Sequence, residues 1–371
     1  MGISELGNSK SSRFKPWSFE NIAMAPNILL MCKLLVMLIL AHHFYYKLDD
    51  PFIPFIKAFD YFNTTPGIFK TTLRIVFIIA LSALFLNLYV RTSCIVLGSI
   101  IFIQQLASIP HFENHTFVVG CVLLLAGLSH RKHTPILLIL QLSLIYFGAF
   151  INKILDVDWI NGVFVDNWLS NARQNPPYLF ISEMLPEKWL ALFLSWVAML
   201  NELSISIILL LKKYRSYTIW IILFFHTVLF TFTSSRFGHF YEDILIILLA
   251  FLLWPKGQIS IEYKKSISSL TKLYNLLDWD KKFRWALSNN NNKYWLQLKT
   301  STGELYTNYN AVRKLLTSTP SFFILLFCFD AFIILLFYNE RAIVFILNLI
   351  IIWSLFLFFL PMIWSKLFKS K

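Results

Sequence analysis

Apolar residues run along this chain in blocks long enough to cross ~30 Å of hydrocarbon as helices. The blocks fall at 27–46, 70–90, 92–109, 115–130, 134–153, 188–211, 216–235, 240–254, 320–338 and 341–364. They predict an all-α polytopic membrane bundle of about ten transmembrane helices, the fourth and eighth being short. One polar stretch, 256–319, breaks the rhythm with strand-like alternation at 258–263, 295–299 and 304–306 and helix-like spacing at 268–277 and 310–316. It predicts a small α/β insert, with Asn289 to Asn292 marking a loop. The expected organisation is an N-terminal segment (1–25), a bundle of about eight helices (26–255), the insert (256–319), and two last helices with a basic tail (320–371).

Composition agrees, with 57% hydrophobic and 14% charged residues, too apolar for a wetted globular surface. The net charge of +13 does not point to nucleic acid, because the basic residues sit mostly in short loops between apolar runs. Residues 1–25 carry Lys10, Arg13 and Lys15 but no apolar core of a cleavable signal. With the N-terminus inside, Arg91, Arg131, Lys132, Lys212, Lys213, Arg215 and the tail Lys366, Lys369 and Lys371 all fall on the cytoplasmic face. The 154–187 loop, with Asp156, Asp158, Asp166, Glu183 and Glu187 against Arg173, falls outside. The expectation is a multi-pass membrane protein with both termini cytoplasmic. Cys32, Cys94, Cys121 and Cys328 lie in apolar runs without metal-ligand spacing, so no metal site is expected.

This topology gathers polar residues toward the outer side. Asn114 and His115 open the fourth span, Lys153 closes the fifth, and His239, Glu242 and Asp243 open the eighth. Lys153 shares a helical face with Tyr146 and Phe150 and precedes Asp156, Asp158 and the Trp159-Ile160-Asn161-Gly162 turn. The expectation is one outward pocket with Lys153 and His115 as catalytic residues, and Asn114, Tyr146, Trp159, Glu202, His226, His239 and Glu242 as binding residues. Plain alternatives stand beside it: Lys153 snorkels to the headgroups, and carboxylates favour a helix N-terminus. Glu202 and His226 fall near mid-membrane, where Glu202 is protonated, bonded to His226, or faces a wet cavity. Asp330 sits at similar depth.

At these residues the chain resembles a family. Glu113-Asn114-His115-Thr116-Phe117, the 146–162 run YFGAFINKILDVDWING, Asn201-Glu202-Leu203, and His226 followed by Gly238-His239-Phe240 occur in the order found in vitamin K-dependent gamma-carboxylase-like proteins, the HTTM domain. The resemblance runs over about residues 15–255. It implies that a lysine at Lys153 deprotonates reduced vitamin K, that His115 supports the quinone chemistry, and that a reduced quinone is the cofactor. For an enzyme it implies gamma-carboxylase-like lyase or quinone-dependent monooxygenase or epoxidase chemistry. The carboxylases' large soluble part, which holds the glutamate-rich substrate, has no counterpart of that length here, so carboxylation of protein glutamate is not the expected activity.

The insert is similar to the DCC thiol-disulfide oxidoreductases, thioredoxin-like modules, through its strand and helix order and Leu277-Asp278-Trp279. Their paired cysteines align with Ile267 and Leu270 here, and without a thiolate there is no exchange chemistry. The insert therefore reads as a redox-dead remnant or a docking surface for a protein partner. Three functions remain open: quinone- or lipid-linked chemistry at an outer pocket, a non-catalytic binding or assembly role, and proton-coupled transport through Glu202 and His226. The expected partner is a membrane lipid or quinone.

Overall fold

The computed structural model describes residues 16–19, 22–129, 135–232, 238–252, 254, 257–279, 281–288 and 293–337. The basic N-terminal segment, Arg131 and Lys132, the Asn289 to Asn292 loop, the 341–364 span and the basic tail lie outside them. The helices are α1 (Pro26–Ala41), α2 (Phe44–Lys47), α3 (Ile68–Phe85), α4 (Val90–Ala107), α5 (Asn114–Leu128), α6 (Ile136–Ile154), α7 (Val157–Ile160) and α8 (Val163–Asp166). They continue with α9 (Pro176–Ser182), α10 (Trp189–Ile208), α11 (Arg215–Phe232), α12 (Gly238–Leu248), α13 (Ser268–Leu277), α14 (Asn308–Thr317) and α15 (Pro320–Phe337). Every expected span within the described residues contains a helix. Among those residues four helices, α3, α4, α6 and α10, are long and apolar enough to cross a membrane, and five if the bent pair α14 and α15 counts as one span. The apolar helices α1 and α5, and the stretch Tyr217–Phe230 of α11, are shorter, so four or five candidate spans stand among the described residues.

The chain divides into two compact units, one of Met1–Ala25 with Tyr45–Leu248 and one of Pro26–Phe44 with Leu249–Lys371. In the first, α4 and α5 form a close antiparallel pair made possible by small residues. A Cβ on Gly98 of α4 would stand 2.6 Å from the Gly120 carbonyl oxygen and from the Leu124 nitrogen. Arg91, at the start of α4, donates to the carbonyls of Gly127 (2.9 Å) and Leu128 (3.3 Å), satisfying the open C-terminus of α5. Arg215 does the same for α10 through Leu209 at 3.0 Å. Two of the basic residues expected at the cytoplasmic ends are thus also helix caps, favoured there by the dipole. Helices α6 and α10 are tied by Ser143 Oγ donating to the Ser206 carbonyl at 2.7 Å.

The 154–187 stretch is not a bare loop. It folds into α7, α8, a π-helical turn at Asn167–Ala172, and α9, around a core of Val165, Leu169, Tyr178 and Ala191. Asp156 caps α7 by accepting from the Asp158 amide, and Asn175 caps α9 by accepting from the Tyr178 amide, both at 3.0 Å. The Tyr178 hydroxyl donates to Asp166 at 2.6 Å, and burial together with that carboxylate pushes the phenol above its usual range.

In the second unit, α1 packs with α15, and the insert is a mixed sheet of β1 (Ile259–Tyr263), β2 (Phe283–Leu287), β3 (Leu296–Lys299) and β4 (Leu305–Thr307) in the order β2-β1-β3-β4. Strand β1 runs parallel to β2 and antiparallel to β3, and β3 is antiparallel to β4. Ile259, Ile261, Leu296 and Leu298 alternate inward and pack with Tyr274, Ala311 and Leu315 from α13 and α14. Three strands were expected and four are present. The additional one, β2, is an edge strand of five residues, Phe283-Arg284-Trp285-Ala286-Leu287, directly preceded by the charged Lys281 and Lys282. Asp278 starts it by accepting from the amides of Lys282 and Phe283, each at 2.8 Å. Ile267 is partly buried against the sheet core.

Candidate functional site

Lys153 occupies the last turn of α6 and Glu202 the middle of α10. Packing of the two helices brings Lys153 Nζ to 2.7 Å from Glu202 Oε1 and 2.8 Å from Oε2. Their side chains are only 18% and 9% exposed. The ammonium also lies 5.0 Å from the ring centroid of Trp159, a cation–π distance. Trp159 is itself fixed: its carbonyl accepts from Ser195 Oγ, and the Ile160 carbonyl accepts from Trp196 Nε1 at 3.2 Å. Gly162 lets this turn lie flat on α10. Its φ is 77°, and a Cβ there would come within 2.6 Å of the Leu192 nitrogen. Only glycine meets both conditions without strain.

Beside this pair, the Tyr146 hydroxyl is 2.7 Å from His226 Nε2, with both residues buried. Glu202 lies within electrostatic reach of Tyr146, and Lys153 within reach of His226, so the two bonded pairs are neighbours. A bond from Glu202 to His226 was one of the three arrangements expected at this depth. The structure gives each a different partner, because Lys153 reaches Glu202 from the end of α6 while Tyr146, two turns earlier, meets α11. Asp156 and Asp158, which follow Lys153 closely in sequence, are exposed, and the carboxylate on the ammonium is Glu202.

His115 belongs to a second network. Its Nδ1 is 3.2 Å from Asp243 Oδ2, its Nε2 is 3.4 Å from Glu113 Oε2, and its ring stacks on His239 with centroids 5.2 Å apart. Lys47 Nζ bridges both Glu113 oxygens at 2.6 and 2.7 Å, and Thr116 Oγ1 donates to Glu113 at 2.9 Å. The Glu113 amide donates to Gln105 Oε1 at 2.6 Å, Gln105 Nε2 to Gln104 Oε1 at 2.5 Å, and Gln104 Nε2 to the Lys47 carbonyl at 3.0 Å. The bond to His115, with Lys47 and Thr116, holds the Glu113 carboxyl well below the usual carboxylate range against the opposing effect of burial. Asn114 opens α5 between Glu113 and His115, and Glu242 is buried beside Asp243 on α12. The two expected catalytic residues thus carry different carboxylates, Glu202 for Lys153 and Asp243 with Glu113 for His115. Lys47, Gln104, Gln105 and Ser195 were not anticipated. Adjacent glutamines inside an apolar span were the available signal, since buried amides need partners.

Four helices of spanning length and composition, with charged and polar side chains turned inward between them, define a helical membrane protein. Residues 130–252 match the family model of the HTTM domain. That stretch contains Tyr146, Lys153, Trp159, Glu202, His226, His239 and Glu242, while Asn114 and His115 precede it. No curated protein and no solved structure matches the chain.

Proposed function

We propose that the HTTM-type bundle takes a lipid-soluble ligand with an ionisable hydroxyl, a reduced quinone being the candidate, at the Lys153–Glu202 pair. The observation that carries this reading is the pair itself, twice bonded and largely withdrawn from solvent. Burying two charges carries a desolvation cost that packed apolar residues would not, so such a pair is weak support for a purely stabilising role. The donor set suits a hydroxyl ligand. Glu202 is the group that accepts its proton, and Lys153, held by two carboxylate oxygens, presents positive charge to the oxyanion left behind. Tyr146 and His226 supply a second hydroxyl and imidazole in electrostatic reach. A quinol, when bound, supplies reducing equivalents. His115 with Asp243 serves as a neighbouring polar network rather than as the partner of Lys153.

The test is binding of a short-tailed naphthoquinol, kept reduced, to the purified protein in nanodiscs, read by quenching of tryptophan fluorescence. Saturable binding lost in Lys153→Met and Glu202→Gln but kept in Asp158→Asn supports the proposal. Absence of saturable quenching, or equal binding by all variants, overturns it. A non-catalytic assembly role is the second reading, favoured by the way Lys153 and Ser195 clamp the Trp159 turn. It predicts that the variants change stability alone.

For the insert, the order β2-β1-β3-β4 with a helix between β1 and β2 supports a thioredoxin-like relationship, stripped of its thiols at Ile267 and Leu270. For topology, the basic ends at Arg91 and Arg215 support cytoplasmic termini and an outward 154–187 cap. About ten spans remains the proposed count.

A further inference from the structure

The insert carries one helix face that its own core does not use. On α13, Tyr274 packs into the sheet core and Thr271 is buried, while Leu273 is 54% and Leu276 74% exposed, and Trp279 just beyond the helix is 47% exposed. Positions 273 and 276 share a face with Lys272, which stands four residues before Leu276. Lys265 and Lys281 are exposed at the two ends of this element. Over 257–319 the sequence holds ten Lys or Arg against four Asp or Glu. Apolar tips set among lysines match an anionic bilayer surface better than a water-filled one.

Two contacts fix the level of this face. Ser321, in the first turn of the apolar helix α15, donates to the carbonyl of Leu277, the last residue of α13. Lys282 Nζ sits 5.8 Å from the centroid of Trp254. The C-terminal end of α13 therefore lies where a membrane helix begins, the depth at which Trp and Lys collect.

We propose that α13 is an interfacial helix that seats Leu273, Leu276 and Trp279 in a bilayer of anionic lipid, with Lys265 and Lys272 on the headgroups. The insert is then held against the membrane rather than projecting from it.

The experiment uses the full chain in vesicles of phosphatidylcholine with or without phosphatidylglycerol. An environment-sensitive fluorescent amino acid is placed by nonsense suppression at position 276 or, as a water-facing control, at exposed position 302. The expected result is at least twofold more quenching by acyl-brominated lipid at 276 than at 302 when phosphatidylglycerol is present. High salt or the variant Lys265→Gln with Lys272→Gln should reduce it, while protection from aqueous iodide falls in parallel. Equal quenching at both positions, with iodide reaching both, overturns the proposal. So does iodide protection at 276 that persists in neutral vesicles and grows with protein-to-lipid ratio, which assigns the face to a second copy or a protein partner.

Discussion

Glu202, in the middle of one membrane-length helix, holds the ammonium of Lys153, at the end of another, through both carboxylate oxygens at 2.7 and 2.8 Å. An ion pair so enclosed couples the two residues more tightly to each other than to the rest of the protein. Removing one partner leaves a buried charge, at a cost of about 3–5 kcal/mol, whereas removing both as neutral isosteres costs much less. Lys153→Met and Glu202→Gln should each lower the thermal midpoint in nanodiscs by several degrees, and the double variant should recover most of the loss. Additive losses in the double variant would show that the pair is not coupled.

Gly162→Ala should destabilise the 154–187 cap. The residue sits at φ 77° with the α10 backbone at 2.6 Å from an added Cβ, so alanine meets both strain and collision. A cost of about 1–3 kcal/mol follows from the backbone strain alone. Limited proteolysis within 156–175 should accelerate, and quinol binding should weaken as Trp159 shifts away from Lys153.

Glu113 makes stability depend on acid. Its bonds to His115, Lys47 and Thr116 depress its folded pKa below the ordinary 4.5. The group therefore contributes stability that is fully present above about pH 4.5 and is lost as pH falls through the folded value. Thermal melts from pH 7 downward should show a decline below that point which Glu113→Gln flattens. A variant with the same decline would assign the acid sensitivity elsewhere.

The charge distribution predicts sidedness directly. A cysteine in place of Trp168 should react with an impermeant maleimide from outside intact cells, and one in place of Asn275 only after permeabilisation. The reverse labelling would invert the topology and move the Lys153 site to the cytoplasmic half.

Residue order alone determined that helices would fill the membrane-like blocks, that a small α/β unit would interrupt them, and that Lys153, Glu202, Tyr146 and His226 would be polar groups carried on apolar helices. Those features are local: hydrophobic runs and isolated polar residues inside them are costly to ignore in any fold. The same reading suited β2 poorly, because Phe283–Leu287 holds no β-branched residue and its pairing with β1 is made by a crossover through α13.

Which polar residue meets which was decided only by tertiary structure. Depth along a helix can be counted from sequence, and it placed Glu202 level with His226. Rotation about the helix axis and the choice of neighbour cannot be counted, because they depend on ridges, small residues and hydroxyl contacts such as Ser143 with Ser206 and Gly98 against Gly120. In the folded chain Glu202 meets Lys153, His226 meets Tyr146, and His115 meets Asp243.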